Sequence, residues 1–329
     1  MGANTAFVTG ATGFVGLNLV EALVARGWRV TAMHRPESDL TPLARFDVRC
    51  VVGDLTDPLS VAHALEPGTD VVFHVAANTS LWSRRHREQD AVNVEGTRHV
   101  VKAALDRRAG RLVHTSSIVA YGLHGGLITE DTPTRGTAST INYVRSKALA
   151  EREVRLGIRR GLDAVIVNPA NIIGAYDTQN WARMFLLLAR GRLPGVPPGG
   201  GSFCHARAVA QAHIAAAERG RSGCNYLLGG VEASYRGFAL EIARCFGRRA
   251  RVRTYGPRVS AIYARIEEWM APVFAREPEV TRETIELMAC NLYCSSKRAM
   301  AELGYQPAPL SEMVGDCAAW LRGAGLIPA

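Results

Sequence analysis

Short apolar runs alternate with segments of helical periodicity through the first half of this 329-residue chain. The runs predict six β-strands, at Ala6–Thr9, Arg29–Met33, Val48–Val52, Val71–Val75, Leu112–Thr115 and Ala164–Val167. Two longer segments between them, Asp90–Arg108 and Tyr143–Arg160, have the length and composition of crossover helices. Strands that alternate with helices form a parallel sheet covered on both faces. We therefore predict an α/β fold with a doubly wound, parallel-sheet Rossmann domain.

The alternation stops at Pro169, which predicts a second, smaller part of the molecule. Residues 1–170 are expected to form the nucleotide-binding domain, to which residues 203–230 return with a helix and a short strand. The segments 171–202 and 231–329 are expected to form a smaller, mostly helical substrate lobe. Within the first of them, the Gly- and Pro-rich run Gly191–Gly201 is typical of a loop and is interpreted as a flap over a substrate.

The charge of +9 arises from 39 basic residues, of which only Lys102, Lys147 and Lys297 are lysines. The arginines are scattered, with short clusters at Arg84–Arg87 and Arg248–Arg253, whereas a nucleic-acid binder gathers its charge with interleaved aromatic residues. We expect no nucleic-acid partner. No stretch of about 20 residues lacks charge, so no membrane partner is expected. The seven cysteines have no metal-finger spacing, and the N-terminus does not resemble a signal peptide, which favours a cytoplasmic protein without a metal.

A glycine-rich loop follows the first predicted strand and opens the first predicted helix. Glycines in this position let the backbone turn tightly and approach a pyrophosphate, which then faces the N–H groups of the first helical turn. The order of strand, loop and helix is the one that a dinucleotide site requires. The residues predicted to contact the cofactor here are Gly10, Thr12, Gly13, Phe14, Val15 and Gly16.

The end of the second predicted strand bears on the choice of nicotinamide cofactor. An acidic residue there binds the ribose hydroxyls of NAD, whereas a basic residue neutralises the 2′-phosphate of NADP. This chain has His34 and Arg35, and no carboxylate before Glu37. We predict that NADP(H) is preferred, with NAD(H) also accepted; an ordinary exposed arginine in an arginine-rich chain is the alternative.

The third predicted strand is followed by Gly53-Asp-Leu-Thr-Asp57. Asp54 and Leu55 are predicted to bind the adenine, through the exocyclic amine and the ring face respectively. Asp57 precedes Pro58, a pair that is typical of a helix N-terminus, so Asp57 is predicted to cap a helix.

Several further motifs appear in a fixed order along residues 6–170. Besides Thr9–Gly16 and Gly53–Asp57, they are His74-Val-Ala-Ala77, Asn93-Val-Glu-Gly-Thr97, Thr115-Ser-Ser117, Tyr121-Gly122 and Tyr143-Val-Arg-Ser-Lys147. In these residues the chain resembles the extended short-chain dehydrogenase/reductase family, within the NAD-dependent epimerase/dehydratase superfamily. It is most similar to members related to dihydroflavonol-4-reductase, 3β-hydroxysteroid dehydrogenase and hopanoid-associated sugar epimerase. The resemblance implies further cofactor contacts at Ala76, Ala77, Asn93, Tyr143, Lys147 and Pro169.

The chemistry of the last motif can also be argued from its residues. Tyr143 and Lys147 are four residues apart, so they share one helix face. An ammonium beside a phenol favours the phenolate, and we therefore expect a lowered pKa that lets Tyr143 act as general acid or base. Ser117 is predicted to polarise the reacting oxygen, because it lies four residues before Tyr121 as in the family; Ser116 is the alternative. His74 is interpreted as a strand-end histidine with satisfied hydrogen bonds, and Asn93 as a buried hydrogen-bonding residue near the site.

These residues predict an NADPH-dependent oxidoreductase that reduces a ketone or aldehyde to an alcohol. Aromatic residues near the predicted site favour a small to medium, hydrophobic or aromatic carbonyl substrate, although each is also typical of a core. The candidate substrate contacts are Asn78, Trp82, Asn171, Tyr176 and Trp181.

Other functions remain open from the sequence. A nucleotide-sugar epimerase shares the Ser-Tyr-Lys trio and holds NAD tightly. A redox-sensing regulator with this fold usually lacks the tyrosine and lysine that this chain retains. A homodimer formed through the two crossover helices is expected from the family resemblance alone.

Overall fold

The computed structural model describes residues 3–249, 251–271 and 277–328. In chain order the strands are β1 (Thr5–Thr9), β2 (Arg29–His34), β3 (Val48–Val52), β4 (Val71–His74), β5 (Arg111–Thr115), β6 (Ala164–Pro169), β7 (Asn171–Ile173), β8 (Gly200–His205), β9 (Asn225–Leu228), β10 (Val231–Ser234) and β11 (Asn291–Leu292). The helices are α1 (Phe14–Ala25), α2 (Pro58–Ala64), α3 (His86–Asp90), α4 (Gly96–Asp106), α5 (Asn142–Arg159), α6 (Ala182–Ala189), α7 (Ala206–Arg219), α8 (Tyr235–Cys245), α9 (Pro257–Met270), α10 (Arg282–Met288), α11 (Lys297–Leu303) and α12 (Leu310–Gly323).

The main sheet has seven parallel strands in the order β3-β2-β1-β4-β5-β6-β9. Successive side chains of β1 point to opposite faces, so Ala6 and Val8 pack into the apolar cluster that contains α1 and α7. Phe7 packs into the cluster on the other face, with residues of α2, α4 and α5. This arrangement confirms the doubly wound α/β fold. The order of strands reverses between β1 and β4, so the crevice where dinucleotides bind opens at their carboxyl ends.

The segment predicted as one helix, Asp90–Arg108, is longer and irregular in the structure. Helices α3 and α4 continue into each other through a π-helical turn at Ala91–Glu95. Such turns bulge one residue out of the regular helix and are frequent at functional sites. Here the turn carries Asn93.

The predicted loop at Gly191–Gly201 is shorter than expected, because β8 begins at Gly200. A side chain at Gly200 would place Cβ 2.4 Å from the carbonyl oxygen of Ala233 on the neighbouring strand, so this glycine serves strand packing. Strand β8 pairs antiparallel with β10 and parallel with β7 and β11. The lobe predicted as mostly helical therefore also contains a four-stranded sheet, and the chain rejoins the main domain with α7.

The glycine loop fixes how closely α1 approaches the sheet. Gly10 has φ +70°, and a Cβ there would lie 2.7 Å from the backbone of Ala76. A Cβ on Gly16 would lie 2.0 Å from the carbonyl oxygen of Gly10. The third glycine of the motif is thus required by the packing of the helix against its own loop.

We expect Gly16→Ala to destabilise the fold by about 2–3 kcal/mol, because the loop or the helix must move to admit the methyl group. Gly315→Ala is the matched control, since it also lies in a helix but has open space around its Cβ position. That substitution should be neutral or should stabilise the protein by up to about 1 kcal/mol. Urea denaturation measures both; equal free energies of unfolding for the two variants would contradict the packing argument.

Candidate functional site

The amino end of α1 is built to receive an anion. Gly13 is the N-cap, no side chain bonds to the cap, and the first turn has no acidic residue. Because the N–H groups of a first helical turn have no partner within their own helix, those of α1 are available to a bound pyrophosphate. Thr12, Phe14 and Val15 are half-buried around this turn, and the last two pack on the main core. The cradle fits the dinucleotide that the sequence predicts.

The predicted 2′-phosphate contacts lie at the carboxyl end of β2, next to β1 in the sheet. Arg35 is exposed, and its guanidinium lies 3.2 Å from the carboxylate of Glu37. The ring of His34 hydrogen-bonds the carbonyl oxygen of Arg35 at 2.9 Å. The cation therefore lies at the edge of the crevice, where Glu37 competes with a phosphate for it.

Asp54 and Asp57, which follow β3, make different hydrogen bonds. The Asp57 carboxylate accepts a hydrogen bond from the backbone N–H of Leu59 at 2.9 Å, which confirms it as the N-cap of α2. Asp54 accepts bonds from the backbone N–H and the hydroxyl of Thr56, both at 2.8 Å. Leu55 is buried in the apolar cluster that contains residues of α2 and α4. Adenine binding by Asp54 and Leu55 stays a prediction.

Asn93 ties the chain after β4 to helix α5. Its side-chain oxygen accepts from the N–H of Asn78 at 2.7 Å, and its amide donates to the Asn78 carbonyl and to the Ser146 hydroxyl, both at 2.9 Å. The side chain is only 2% exposed, which confirms the predicted buried hydrogen-bonding role. Ala76 lies against Gly10, and Ala77, next to it in the chain, is half-buried.

Ser117, Tyr143 and Lys147 come together where β5 ends and α5 begins. The Ser117 hydroxyl lies near enough to the Tyr143 hydroxyl to lower the pKa of that phenol. The Ser117 hydroxyl also lies 3.4 Å from the carbonyl oxygen of Pro169, at the end of β6. Lys147 is 3% exposed, and its ammonium donates to the carbonyl oxygen of Thr115 at 2.7 Å. Ser116, the alternative to Ser117, is buried and has no hydrogen-bond partner for its hydroxyl among the described residues.

The pKa of Tyr143 is raised, whereas the sequence predicted that it would be lowered. Burial raises it to about 12, and the nearby Ser117 hydroxyl only partly offsets this. The prediction of a lowered pKa was wrong for the protein by itself, because the effect of burial outweighs the groups that favour the phenolate. Burial lowers the pKa of Lys147 to about 8, since it penalises the charged form.

Three buried histidines surround the base of this site. His74 bonds the hydroxyls of Thr9 and Thr97 at 2.8 and 3.0 Å, which confirms its interpretation as a satisfied strand-end histidine. Its ring lies 5.3 Å from that of His114. Burial, followed by the charge of Lys147, lowers the pKa of His74 to about 3 and that of His114 well below its usual value. Burial lowers the pKa of His213 to about 4. All three are thus neutral at physiological pH.

Glu151 is a functional candidate that the sequence reasoning missed. It follows Lys147 by four residues, so Tyr143, Lys147 and Glu151 share one face of α5. The carboxylate is buried and accepts amide hydrogens from Asn168 at 2.6 Å and Asn225 at 3.1 Å. Its charge raises the pKa of Lys147 and partly offsets the effect of burial. The spacing could have revealed this residue, because an acidic residue one helical turn after a lysine can stabilise the charge of that lysine.

The environment of Tyr143 is mostly apolar. Tyr143 packs in a cluster with Leu81, Ile118, Val119, Leu123 and Leu287. None of these residues was among the predicted substrate contacts, because isolated leucines and valines carry no distinguishing sequence signal.

The predicted substrate contacts are dispersed. Asn78 and Trp82 lie on the segment after β4, which also contains Leu81, a residue packed against the same apolar cluster as Tyr143. Asn171 donates its amide to the Ser202 carbonyl at 3.0 Å within the small sheet. The structure does not group the other two with Tyr143. Tyr176 is buried in the core between α1 and α12, with its hydroxyl 3.2 Å from Glu21, and Trp181 stacks on Tyr235 in the core of the lobe.

Comparison with known proteins identifies the family. The model of the NAD dependent epimerase/dehydratase family matches residues 6–229. The chain belongs to this family. It is similar to sterol demethylase protein B of Methylococcus capsulatus, with 34% identity over 98% of this chain and 100% of the relative. It is also similar to a 4-hydroxy-2-methyl-3-oxo-4-farnesyl-3,4-dihydroquinoline-1-oxide ketoreductase of Stigmatella aurantiaca, with 31% identity over 91% of each chain.

The solved structure of gox2253 is similar over nearly the whole fold. It has a TM-score of 0.85 and 35% identity, and the match covers 98% of this chain and 99% of that one. Together these similarities establish an enzyme of the extended short-chain dehydrogenase/reductase type, with a nicotinamide dinucleotide cofactor and a small-molecule substrate.

The role of Glu151 can be measured without any substrate. Because the chain has only three lysines, NMR of protein labelled at lysine Cε resolves the titration of Lys147, with Lys102 and Lys297 as internal references. We expect its pKa near 8, and a lower value in Glu151→Gln, since the substitution removes the charge that favours the ammonium. Glu153→Gln, on the same helix but ion-paired with Arg98, should leave it unchanged. An unchanged or higher pKa in Glu151→Gln would contradict this electrostatic role.

Proposed function

We propose that this enzyme is an NADPH-dependent reductase of ketones or aldehydes with apolar substituents, and that Ser117, Tyr143 and Lys147 carry the reaction. The observation that supports this most directly is that the three residues converge. The Lys147 ammonium bonds the carbonyl oxygen of Thr115, two residues before Ser117, and the Ser117 hydroxyl is near enough to Tyr143 to lower its pKa. Two adjacent hydroxyls are what a carbonyl oxygen needs for polarisation and protonation.

The bound cofactor supplies hydride to the carbonyl carbon. Ser117 donates a hydrogen bond to the carbonyl oxygen and so favours the negative charge that develops there. Tyr143 donates its proton to the same oxygen, which yields the alcohol. Lys147, on the same helix face, stabilises the phenolate that Tyr143 leaves behind. Asn93 positions these groups, since it holds the Asn78 backbone against the Ser146 hydroxyl of α5.

The raised pKa of Tyr143 supports its role as the proton donor. A phenol with a pKa of about 12 stays protonated at neutral pH and is therefore ready to donate. The protein by itself is thus prepared for the proton donation that carbonyl reduction requires.

The apolar surroundings of Tyr143 support a lipophilic substrate. Leu81, Leu123 and Leu287 have no polar group to offer a sugar or a charged acid. The names of two relatives agree with this chemistry, since one refers to a sterol and the other to a farnesylated ketone. Asn78 and Trp82 stay candidates for substrate contact, whereas the core positions of Tyr176 and Trp181 favour a packing role.

The test is a panel of carbonyl substrates, followed by NADPH absorbance, on the wild type and Tyr143→Phe. We expect the variant to lose at least about 10²-fold in turnover, because the general acid is gone, while NADPH binding changes little. Tyr121→Phe is the matched control, because it removes another hydroxyl from the same apolar cluster and should leave turnover intact. Turnover by Tyr143→Phe at the wild-type rate would refute the assignment. Tightly retained NAD without net oxidation of NADPH would indicate a nucleotide-sugar epimerase instead.

Cofactor preference is tested by Arg35→Ala. Loss of a guanidinium that binds the 2′-phosphate should cost about 1.5–3 kcal/mol, which lowers kcat/KM for NADPH by roughly 10- to 100-fold and leaves that for NADH nearly unchanged. Arg29→Ala, at the opposite end of the same strand, controls for the change in net charge. Equal loss with both cofactors, or a wild type that prefers NADH, would contradict NADPH specificity.

A further inference from the structure

Helix α9 presents large apolar side chains to solvent and buries small or polar ones. Five large residues on its outer side are between 42% and 77% exposed: Val259, Ile262, Tyr263, Ile266 and Trp269. The inner side carries Ser260, Ala264 and Glu267, each less than 9% exposed. This pattern is the reverse of the one that a surface helix of a globular protein normally shows. The outer side is therefore a candidate contact surface.

The exposed residues form one continuous stripe. The other four residues lie three, four, seven and ten positions after Val259, so all five follow one side of the helix for about three turns. Arg258 and Arg265 are exposed and lie two turns apart along one border of the stripe. Long basic side chains beside an apolar stripe can extend toward anionic groups while their stems remain in contact with apolar surface.

The sequence around α9 is strongly basic. Residues 248–266 contain six arginines and no acidic residue. Arg249 and Arg251 line a cavity of about 270 Å³ that also contacts Phe246, so basic and apolar groups are combined there as well. The acids that follow do not neutralise the outer side: Glu268 pairs with Arg282 at 2.9 Å, and Glu267 is buried.

One neighbouring helix connects α9 to the reaction site. Helix α9 packs on α10, whose Leu287 belongs to the apolar cluster around Tyr143. A bilayer in contact with α9 would therefore be separated from the apolar surroundings of Tyr143 by helix α10.

We propose that α9 docks this protein onto the surface of an anionic phospholipid bilayer. Apolar side chains enter the interface, and the arginines meet the lipid phosphates. A second copy of the chain fits less well, because residues 248–266 contain no acidic residue that could pair with the arginines of the other copy. No helix among the described residues has the length and apolar composition to cross a membrane. The sequence expectation of no membrane partner rested on the lack of such a span, whereas lying in the interface requires only an amphipathic face. The inference does not depend on the proposed reaction.

The experiment is co-sedimentation of the full chain with vesicles of phosphatidylcholine alone, or of phosphatidylcholine and phosphatidylglycerol mixed two to one. We expect at least about tenfold stronger binding to the mixed vesicles, weakened by salt. The double variant Arg258→Glu/Arg265→Glu should lose this preference. The control Arg159→Glu/Arg160→Glu makes the same charge change on exposed residues near the end of α5 and should retain most of it.

The apolar stripe is tested separately. Ile262→Ser/Trp269→Ser should reduce binding at least tenfold, whereas Val52→Ser/Leu59→Ser, at residues 60% and 67% exposed elsewhere, should not. Circular dichroism verifies that all variants fold. The proposal is overturned if the mixed vesicles do not bind, or if the control variants lose binding equally. A dimer without vesicles that becomes a monomer in Ile262→Ser/Trp269→Ser would assign the stripe to a second copy.

Discussion

The buried ammonium of Lys147 is the constraint on which the arrangement of the site depends. A charge removed from water costs several kcal/mol unless it is bonded and compensated. Here the Thr115 carbonyl accepts its hydrogen bond, the Glu151 carboxylate favours its charge, and the neighbouring His74 and His114 stay neutral. The same bond fastens α5 to the carboxyl end of β5. Because Tyr143 lies one turn earlier on that helix, its place beside Ser117 follows from where the lysine must be.

The polar network behind the lysine extends this constraint across the sheet. Glu151 accepts from Asn168 on β6 and Asn225 on β9, which also bond each other at 2.9 Å. Thus the last strand of the sheet, contributed by a distant part of the chain, helps to define the electrostatics at Lys147. On the other side, Asn93 in the π-helical turn bonds Ser146, the neighbour of Lys147. The helix is held from both sides, so the reacting groups have little freedom to separate.

The sequence was most informative where the physical requirement is local. The period of the strands, the glycines that turn toward a phosphate and the cap at Asp57 are each determined by a few neighbouring residues. The small sheet was missed, because β7 and β11 have only three and two residues and Gly200 is typical of a loop in isolation. The pKa of Tyr143 was predicted with the wrong sign, since burial depends on Leu81, Leu287 and other residues far apart in the chain. The outward apolar side of α9 likewise becomes apparent only once the packing shows which side is buried.

Carbonyl reduction is the central claim, and the fate of one hydrogen tests it most directly. With NADPH that carries deuterium at C4 on both faces, in ordinary water, mass spectrometry and NMR of the product locate the transferred atom. The account predicts one deuterium on the carbon that bears the new hydroxyl, and a hydroxyl hydrogen that comes from water through Tyr143. An unreduced product without deuterium, with a sugar carbon inverted and NAD retained on the protein, would contradict it.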